Sequence, residues 1–208
     1  MLERVYFISQ QTATKTHLAA IEEALEAGCR LVQLRVKKEP ETAVLEQAKK
    51  AKALCDRYNA KLVVNDYPHV ARTVGAWGIH VGLQDMNPGA VRAIVDREMI
   101  VGGTANTFEH IQQRVQEGVD YVGLGPFRFT STKEKLSPIL GLEGFQRIMD
   151  QVRAANIKQP IVAIGGVLSG DVPGLKEAGI YSVAVSGAVM TALDQQAEVA
   201  RINELFSY

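Results

Sequence analysis

The sequence has few of the features that mark secreted or membrane-spanning proteins. It contains two cysteines, Cys29 and Cys55, in 208 residues and no CxxC pair, which argues against a disulfide-stapled domain or a cysteine-rich zinc site. No uninterrupted apolar run approaches the roughly 18 residues of a membrane span. Residues 1–9 carry charges at once and too short an apolar run for a signal peptide. We therefore expect a cytoplasmic protein.

An excess of charge is also absent. Lys plus Arg number 23 and Asp plus Glu number 23, so the formal net charge is zero. Without an overall positive charge, the chain is not expected to bind nucleic acid or an anionic membrane by bulk attraction. A local group of cations that binds a small anionic molecule is compatible with this composition, and so is a homo-oligomer.

Eight short, β-branched, apolar runs alternate with helix-like segments. This pattern indicates strands buried on both faces of a parallel sheet, and 208/8 gives 26 residues per unit. Because closure into a barrel removes both sheet edges, we predict an α/β fold, a single-domain TIM (β/α)8 barrel over residues 1–208; an open doubly wound sheet is the alternative. The predicted strands are 5–9, 31–35, 62–66, 78–82, 100–104, 121–125, 161–165 and 182–186. The predicted helices include 17–27, 41–58, 108–116, 142–154, 172–178 and 188–205.

Polar residues and glycines gather where the predicted strands end. In a barrel of parallel strands, the carboxyl ends and the loops that follow form the active face, so these residues are expected to share one opening. The loop after the sixth strand, residues 127–140, is the one long irregular stretch, and a loop of about 14 residues in a compact domain is usually functional. The candidate residues are Gln33, Arg35, Lys37, Asn65, Asp66, Asp85, Thr104, Thr130, Ser131, Thr132, Lys133, Gly166, Ser186 and Gly187.

The chemistry of this set favours a substrate with more than one phosphate. Arg35, Lys37 and Lys133 supply three cations, while hydroxyls and glycine backbone N–H groups supply further donors. Asp66 and Asp85 at about 4 Å would repel each other by about 4 kcal/mol at an effective dielectric near 20. A shared Mg²⁺ removes that repulsion, since Mg²⁺ commonly takes one or two carboxylates plus phosphate oxygens.

Simpler interpretations of the same residues stay open at this point. Arg35 and Lys37 could pair with the glutamates that follow them at a solvated strand end. Asp66 and Asp85 could cap the helices that begin near the prolines after them. His80, inside a predicted strand, is interpreted as a hydrogen-bonded core residue and not as a metal ligand.

These residues also carry a resemblance to the thiamine-phosphate synthase family, from Val5 to about Met190. Singly the motifs are moderate signals, and together in this order they are strong. The motifs are Gln33-Leu-Arg-Val-Lys37, Val64-Asn-Asp66, Gly78-Ile-His-Val-Gly82 with Asp85, Gly123-Leu-Gly-Pro126 followed by Thr130-Ser-Thr-Lys133, and Ala163-Ile-Gly-Gly-Val167.

The resemblance implies a transferase that joins hydroxymethylpyrimidine pyrophosphate to hydroxyethylthiazole phosphate and releases pyrophosphate. It implies Mg²⁺ on Asp66 and Asp85, with Arg35, Lys37 and Lys133 as the catalytic cations. It further implies that the pyrimidine pyrophosphate is held by Gln33, Arg35, Lys37, Asn65, Thr104 and Lys133. The thiazole phosphate is then held by Thr130, Thr132 and the backbone at Gly166, Ser186 and Gly187, with Ser131 in the same loop.

Several positions depart from the family pattern, and three rival functions follow from the same fold. Leu83 and Gly187 stand where the family usually has Gln and Ser, and residues 127–129 are bulkier and more basic than usual. A thiazole tautomerase is one rival, but Asn106 replaces the His that serves there as general acid and base. A non-catalytic regulator and another phosphate-binding barrel enzyme, such as a sugar-phosphate isomerase, are the others.

Overall fold

The computed structural model describes residues 1–129 and 138–207, and its strands form a closed parallel barrel. Each strand pairs with the next along the chain, and the last returns to the first through the register Tyr6 to Ala184. Closure confirms the predicted TIM barrel and excludes the open sheet. The strands are β1 (Val5–Ile8), β2 (Leu31–Leu34), β3 (Lys61–Asn65), β4 (Gly78–Val81), β5 (Ile100–Ala105), β6 (Tyr121–Leu124), β7 (Ile161–Ile164) and β8 (Ser182–Val185).

Helices follow the strands and cover the outside of the barrel. Four glycines just after helices, Gly28, Gly75, Gly118 and Gly179, have positive φ, from +61° to +104°. No helix in the described ranges is both long and apolar enough to span a membrane. The helices are α1 (His17–Glu26), α2 (Glu41–Arg57), α3 (Pro68–Thr73), α4 (Pro88–Arg92), α5 (Phe108–Gln116), α6 (Gly141–Ala154), α7 (Val172–Glu177), α8 (Gly187–Met190) and α9 (Gln195–Ser207), with a 3-10 turn at Ser169–Asp171.

The prediction of one helix over 188–205 is wrong, because the helix is interrupted between α8 and α9. The Asp194 carboxylate accepts the backbone N–H of Ala197 at 2.9 Å and so starts a new helix. Leu193 is fully exposed at the break.

Two apolar layers result from the alternation of side chains along the strands. One layer, which includes Phe7, Val64 and Val183, packs between the barrel and the helices. The other fills the barrel interior and includes Tyr6, Tyr121 and a ring of aliphatic residues. The interior is therefore a packed core, and ligands can approach only at its ends.

Candidate active site

Four of the predicted charged residues meet at the carboxyl ends of β2, β3 and β4. The Lys37 ammonium contacts the Asp66 carboxylate and lies 3.9 Å from that of Asp85. Arg35 is partly buried, and this burial lowers the pKa of its guanidinium, while the charges of Asp66 and Asp85 oppose that shift. The cations therefore face these two aspartates, and the alternative pairing of Lys37 with the following glutamates is not what the structure shows.

Asp66 has an unusual backbone and an unsatisfied side chain. It follows β3 with φ of +66°, a left-handed conformation that costs most side chains about 1–3 kcal/mol and that tends to occur at functional sites. Its Oδ1 is buried and makes no hydrogen bond within the described residues. Burial raises the pKa of Asp66 to about 6, with the neighbouring Asp85 adding to the rise and Lys37 opposing it.

Asp85 is held by the backbone of the strand beside it. Its Oδ2 accepts the N–H of Gly82 at 2.9 Å, and a Cβ on Gly82 would lie 2.5 Å from that oxygen. The helix-capping interpretation of both aspartates is wrong. Asn87 caps α4 by accepting the N–H of Gly89 at 2.8 Å, and Tyr67, not Asp66, precedes α3.

The pair of aspartates fits a hard divalent cation that also binds substrate oxygens. No group of three or more His, Cys, Asp or Glu side chains suited to a metal occurs in residues 1–129 and 138–207. The protein itself therefore offers two carboxylates, which is the usual number for Mg²⁺ bound together with phosphates. The unpartnered Oδ1 of Asp66 is a buried acceptor that such an ion would satisfy.

Asn65 adds a second unsatisfied group beside the aspartates. Its side chain is 5% exposed, and its amide nitrogen donates no hydrogen bond in the described part of the chain. A buried donor without an acceptor costs roughly 1–3 kcal/mol, so such a group indicates a missing partner. A ligand acceptor at this position would remove the cost.

Gln33 and Thr104 lie deeper, at the two ends of a buried hydrogen-bond relay that crosses the barrel. Gln33 Nε2 donates to the Tyr6 hydroxyl at 2.5 Å, and that hydroxyl is 3.1 Å from the hydroxyl of Tyr121. Tyr121 is in turn 3.0 Å from His80 Nδ1, and His80 Nε2 is 3.0 Å from Thr104 Oγ1. Burial raises the pKa of both phenols well above their ordinary value, so both stay protonated near neutral pH.

The relay explains His80 and contains two residues that the sequence analysis missed. His80 is hydrogen-bonded on both ring nitrogens, which confirms its interpretation as a satisfied core residue. Tyr6 and Tyr121 were read only as parts of apolar strands. Their positions on the inward faces of β1 and β6 are the signal that could have found them, since phenols buried in a barrel need polar partners.

Ser9 and His17 are a second group that was not predicted from the sequence, and they support the backbone at Arg35. Ser9 Oγ accepts the backbone N–H of Arg35 at 3.1 Å and lies 2.9 Å from His17 Nδ1. Burial, together with the charge of Arg35, lowers the pKa of His17. Ser9 thus bonds both the His17 ring and the Arg35 backbone, and the second contact holds the β1 end against the β2 end.

The predicted phosphate-binding glycines and hydroxyl lie at the ends of β7 and β8. Gly165 and Gly166 turn with φ of +93° and +73°. Ser186 and Gly187 begin α8, and open space surrounds the position of a Cβ on Gly187. The predicted residues Thr130, Ser131, Thr132 and Lys133 lie outside the described residues.

Known proteins are similar to this chain over most of its length. The family model for thiamine monophosphate synthase matches residues 5–189. The chain belongs to this family. A protein of Phocaeicola vulgatus named thiamine-phosphate synthase is 44% identical over 199 residues, with 96% of both chains covered. One of Flavobacterium johnsoniae with the same name is 41% identical, covering 98% of this chain and 96% of the relative.

Solved structures agree with the barrel. The chain is similar to a thiamine phosphate pyrophosphorylase from Pyrococcus furiosus, with a TM-score of 0.83, 28% identity and 98% and 95% of the two chains covered. It is also similar in fold to a 3-hexulose-6-phosphate synthase, with a TM-score of 0.71, 16% identity and coverage of 99% and 100%. The second likeness shows the barrel alone.

Proposed function

We propose that this protein is a thiamine-phosphate synthase, which joins hydroxymethylpyrimidine pyrophosphate to hydroxyethylthiazole phosphate and releases pyrophosphate. The observation that carries the proposal is the cluster of Arg35, Lys37, Asp66 and Asp85 at one mouth of the barrel. Membership of the family supports the substrate pair.

The reaction needs charge stabilisation more than a protein nucleophile. Arg35 and Lys37, together with Lys133, balance the charge on the departing pyrophosphate, and the aminopyrimidine stabilises the cation left on its methylene carbon. Asp66 and Asp85 would hold Mg²⁺, which when bound neutralises pyrophosphate oxygens. Stabilisation of this kind is often the largest single contribution to catalysis.

Placement of the two rings supplies the rest. Gln33 and Thr104 are fixed by the buried relay, so the polar edge that they present to a pyrimidine does not have to reorganise. The unpartnered amide of Asn65 offers a donor to the same ligand. Gly166, Ser186 and Gly187, with Thr130, Ser131 and Thr132, hold the thiazole phosphate so that the ring nitrogen faces the methylene carbon. Good placement can contribute about 7–11 kcal/mol to such a reaction.

A thiazole tautomerase would need an acid–base group at position 106, where this chain has Asn. The Asn106 amide donates to the Gly125 carbonyl across the ends of β5 and β6, and an amide does not exchange protons near neutral pH. A requirement for Mg²⁺ separates the two activities, since the isomerisation needs no metal.

The direct test mixes the purified protein with both substrates and Mg²⁺ and measures thiamine phosphate by fluorescence after oxidation. We expect product that depends on both substrates and disappears with excess EDTA. Absence of product from folded protein, checked by a cooperative thermal transition, would overturn the proposal. Product formed equally in EDTA would contradict the role of the aspartates.

A further inference from the structure

The loop that follows β6 contributes an arginine that binds the turn after β7. Arg128 Nη1 donates to Asp171 Oδ2 and to the Gly166 carbonyl, both at 2.6 Å, and Nη2 donates to Asp171 Oδ1 at 2.9 Å. The guanidinium thus donates two hydrogen bonds to the Asp171 carboxylate and a third to the Gly166 peptide carbonyl. Such bidentate pairs fix direction as well as supplying energy.

Asp171 is itself part of the turn that Arg128 binds. Its Oδ2 also accepts the N–H of Leu168 at 2.8 Å and so closes the 3-10 turn Ser169–Asp171 ahead of α7. The Asp171 side chain is 16% exposed, against 41% for Arg128. One partially buried carboxylate therefore ties Arg128 to the whole connection between β7 and α7.

The glycines of this turn are shaped around the arginine. A Cβ on Gly166 would collide with Arg128 Cγ, and one on Gly165 would lie 2.8 Å from Pro126. The Gly165 carbonyl accepts the N–H of Arg128 at 2.9 Å. At a predicted phosphate site, the lack of a side chain at Gly166 would let an anion approach the backbone. In the structure the missing side chain makes room for Arg128.

The two bound carbonyls determine where the next N–H groups point. In a trans peptide the C=O and the following N–H point in opposite directions. Since Arg128 binds the carbonyls of Gly165 and Gly166, the N–H groups of Gly166 and Val167 point away from it. In the described ranges neither N–H donates a hydrogen bond. They are adjacent donors at the carboxyl end of β7, where barrels of this kind bind phosphate.

We infer that Arg128 is a positioning residue for the phosphate of the thiazole substrate: with Asp171 it orients the Gly166 and Val167 N–H groups and does not itself bind the anion. The inference rests on the proposed function, since it takes the substrate class from there. It departs from the family pattern described above, in which residues 127–129 are less basic.

A double-mutant cycle separates positioning from direct binding. Arg128→Ala and Asp171→Asn both release the turn, so each should raise KM for the thiazole phosphate about tenfold, the effect of losing roughly 1.4 kcal/mol. The double variant should be no worse than either single one. KM for the pyrimidine pyrophosphate should change less than twofold, and Arg128→Lys should recover only part of the loss because it lacks the fork.

A direct anion contact gives a different pattern and would overturn the inference. In that case Asp171→Asn would free Arg128 and tighten phosphate binding, while Arg128→Ala alone would weaken it. Equal increases in both KM values, or no change in any variant, would also overturn it. If the wild-type protein forms no thiamine phosphate, the proposed function fails first. Binding of hydroxyethylthiazole phosphate, measured by calorimetry across the same variants, then tests the inference without turnover.

Arg153 provides a matched control at the other end of the helices. It donates to the Ala178 carbonyl at 2.7 Å and pairs with Asp150 at the carboxyl end of α6, so it has the same kinds of partner as Arg128. Arg153→Ala should leave both KM values unchanged. A rise in KM for the thiazole phosphate equal to that of Arg128→Ala would show that loss of any such arginine loosens the barrel, and would contradict a specific role.

Discussion

Two polar clusters lie close together in this barrel and differ in how completely they are satisfied. The interior relay of Gln33, Tyr6, Tyr121, His80 and Thr104 is hydrogen-bonded from end to end. The mouth cluster above it is charged and has buried atoms without partners, Asn65 Nδ2 and Asp66 Oδ1, in the described structure. A network whose polar groups are all hydrogen-bonded stabilises the fold. Buried polar groups without hydrogen bonds reduce the free energy of unfolding, and a ligand that bonds them removes this penalty. Substitutions in the two clusters should therefore affect different measurements.

The largest effect is expected from Asp66→Asn at the mouth. Asparagine keeps the size of the side chain and tolerates the left-handed backbone, but it removes a charged metal ligand. Turnover should fall by about 10²–10³, the range seen when one preorganised electrostatic contact is lost. Steady-state kinetics with saturating substrates measure this.

Asp96→Asn is the matched control for that variant. Asp96 is an exposed aspartate 3.6 Å from Arg72, away from the mouth. Its turnover should stay within twofold of the wild type. Similar losses in both variants would refute a special role for Asp66.

The next largest effect is expected inside the relay. Tyr121→Phe removes the hydroxyl that bonds both the Tyr6 hydroxyl and His80 Nδ1 inside the barrel, so the free energy of unfolding should fall by about 2–3 kcal/mol. Urea denaturation measures it. Tyr181→Phe is the comparison, since that hydroxyl donates one bond, to the Leu2 carbonyl at 3.2 Å, and is only partly buried. Equal losses would show that the relay is not more stabilising than a surface contact.

A smaller effect of opposite sign follows from the pKa of Asp66. The folded value of about 6 exceeds the ordinary 3.8, so the folded protein binds this proton more tightly than the unfolded chain does. Asp66 therefore destabilises the metal-free protein increasingly as pH rises from about 4 to 7. Asp66→Asn should raise the free energy of unfolding by about 1–2 kcal/mol at pH 7.5 and by nearly nothing at pH 4.

Thermal melts in EDTA at both pH values measure this difference. A variant that is more stable but nearly inactive is the signature of a residue retained for function. Destabilisation at pH 7.5, or a gain of the same size at pH 4, would contradict the assigned pKa. Apparent Mg²⁺ affinity of the wild type should also weaken as pH falls below about 6, since protonation removes the ligand charge.

The smallest effect is expected at Gly187, where the mouth is open. Its φ is ordinary and nothing lies within 4 Å of a Cβ there, so Gly187→Ser should change stability by less than about 0.5 kcal/mol. Gly82→Ala is the contrast, because the added Cβ would meet Asp85 Oδ2. It should lower the melting temperature clearly, and equal results for the two would contradict the described packing of Asp85.

The sequence was sufficient to predict the barrel and to place four charged residues at one end of it. Eight apolar runs gave strand positions within one residue or so, because buried parallel strands need continuous β-branched sequence. Arg35, Lys37, Asp66 and Asp85 could be grouped because every strand in a barrel ends on the same side. The break between α8 and α9 escaped prediction, since a capping contact from Asp194 overrode the apolar period.

Contacts between distant residues were not predictable in this way. The relay joins Tyr6 to Tyr121, 115 positions apart. Arg128, in the loop after β6, bonds Asp171, in the connection after β7. Composition identifies phenols and cations, but their partners depend on register and on loop conformation. The Phe127-Arg128-Phe129 sequence shows that a cation follows β6, but it does not show which carboxylate the cation binds.

The most direct test of the account follows pyrophosphate release while Mg²⁺ is titrated into protein that holds both substrates. We expect one pyrophosphate per thiamine phosphate, at a rate that rises with Mg²⁺ and that falls by about 10²–10³ in Lys37→Ala. A rate that is independent of Mg²⁺, or one that Lys37→Ala leaves at the wild-type value, would contradict it.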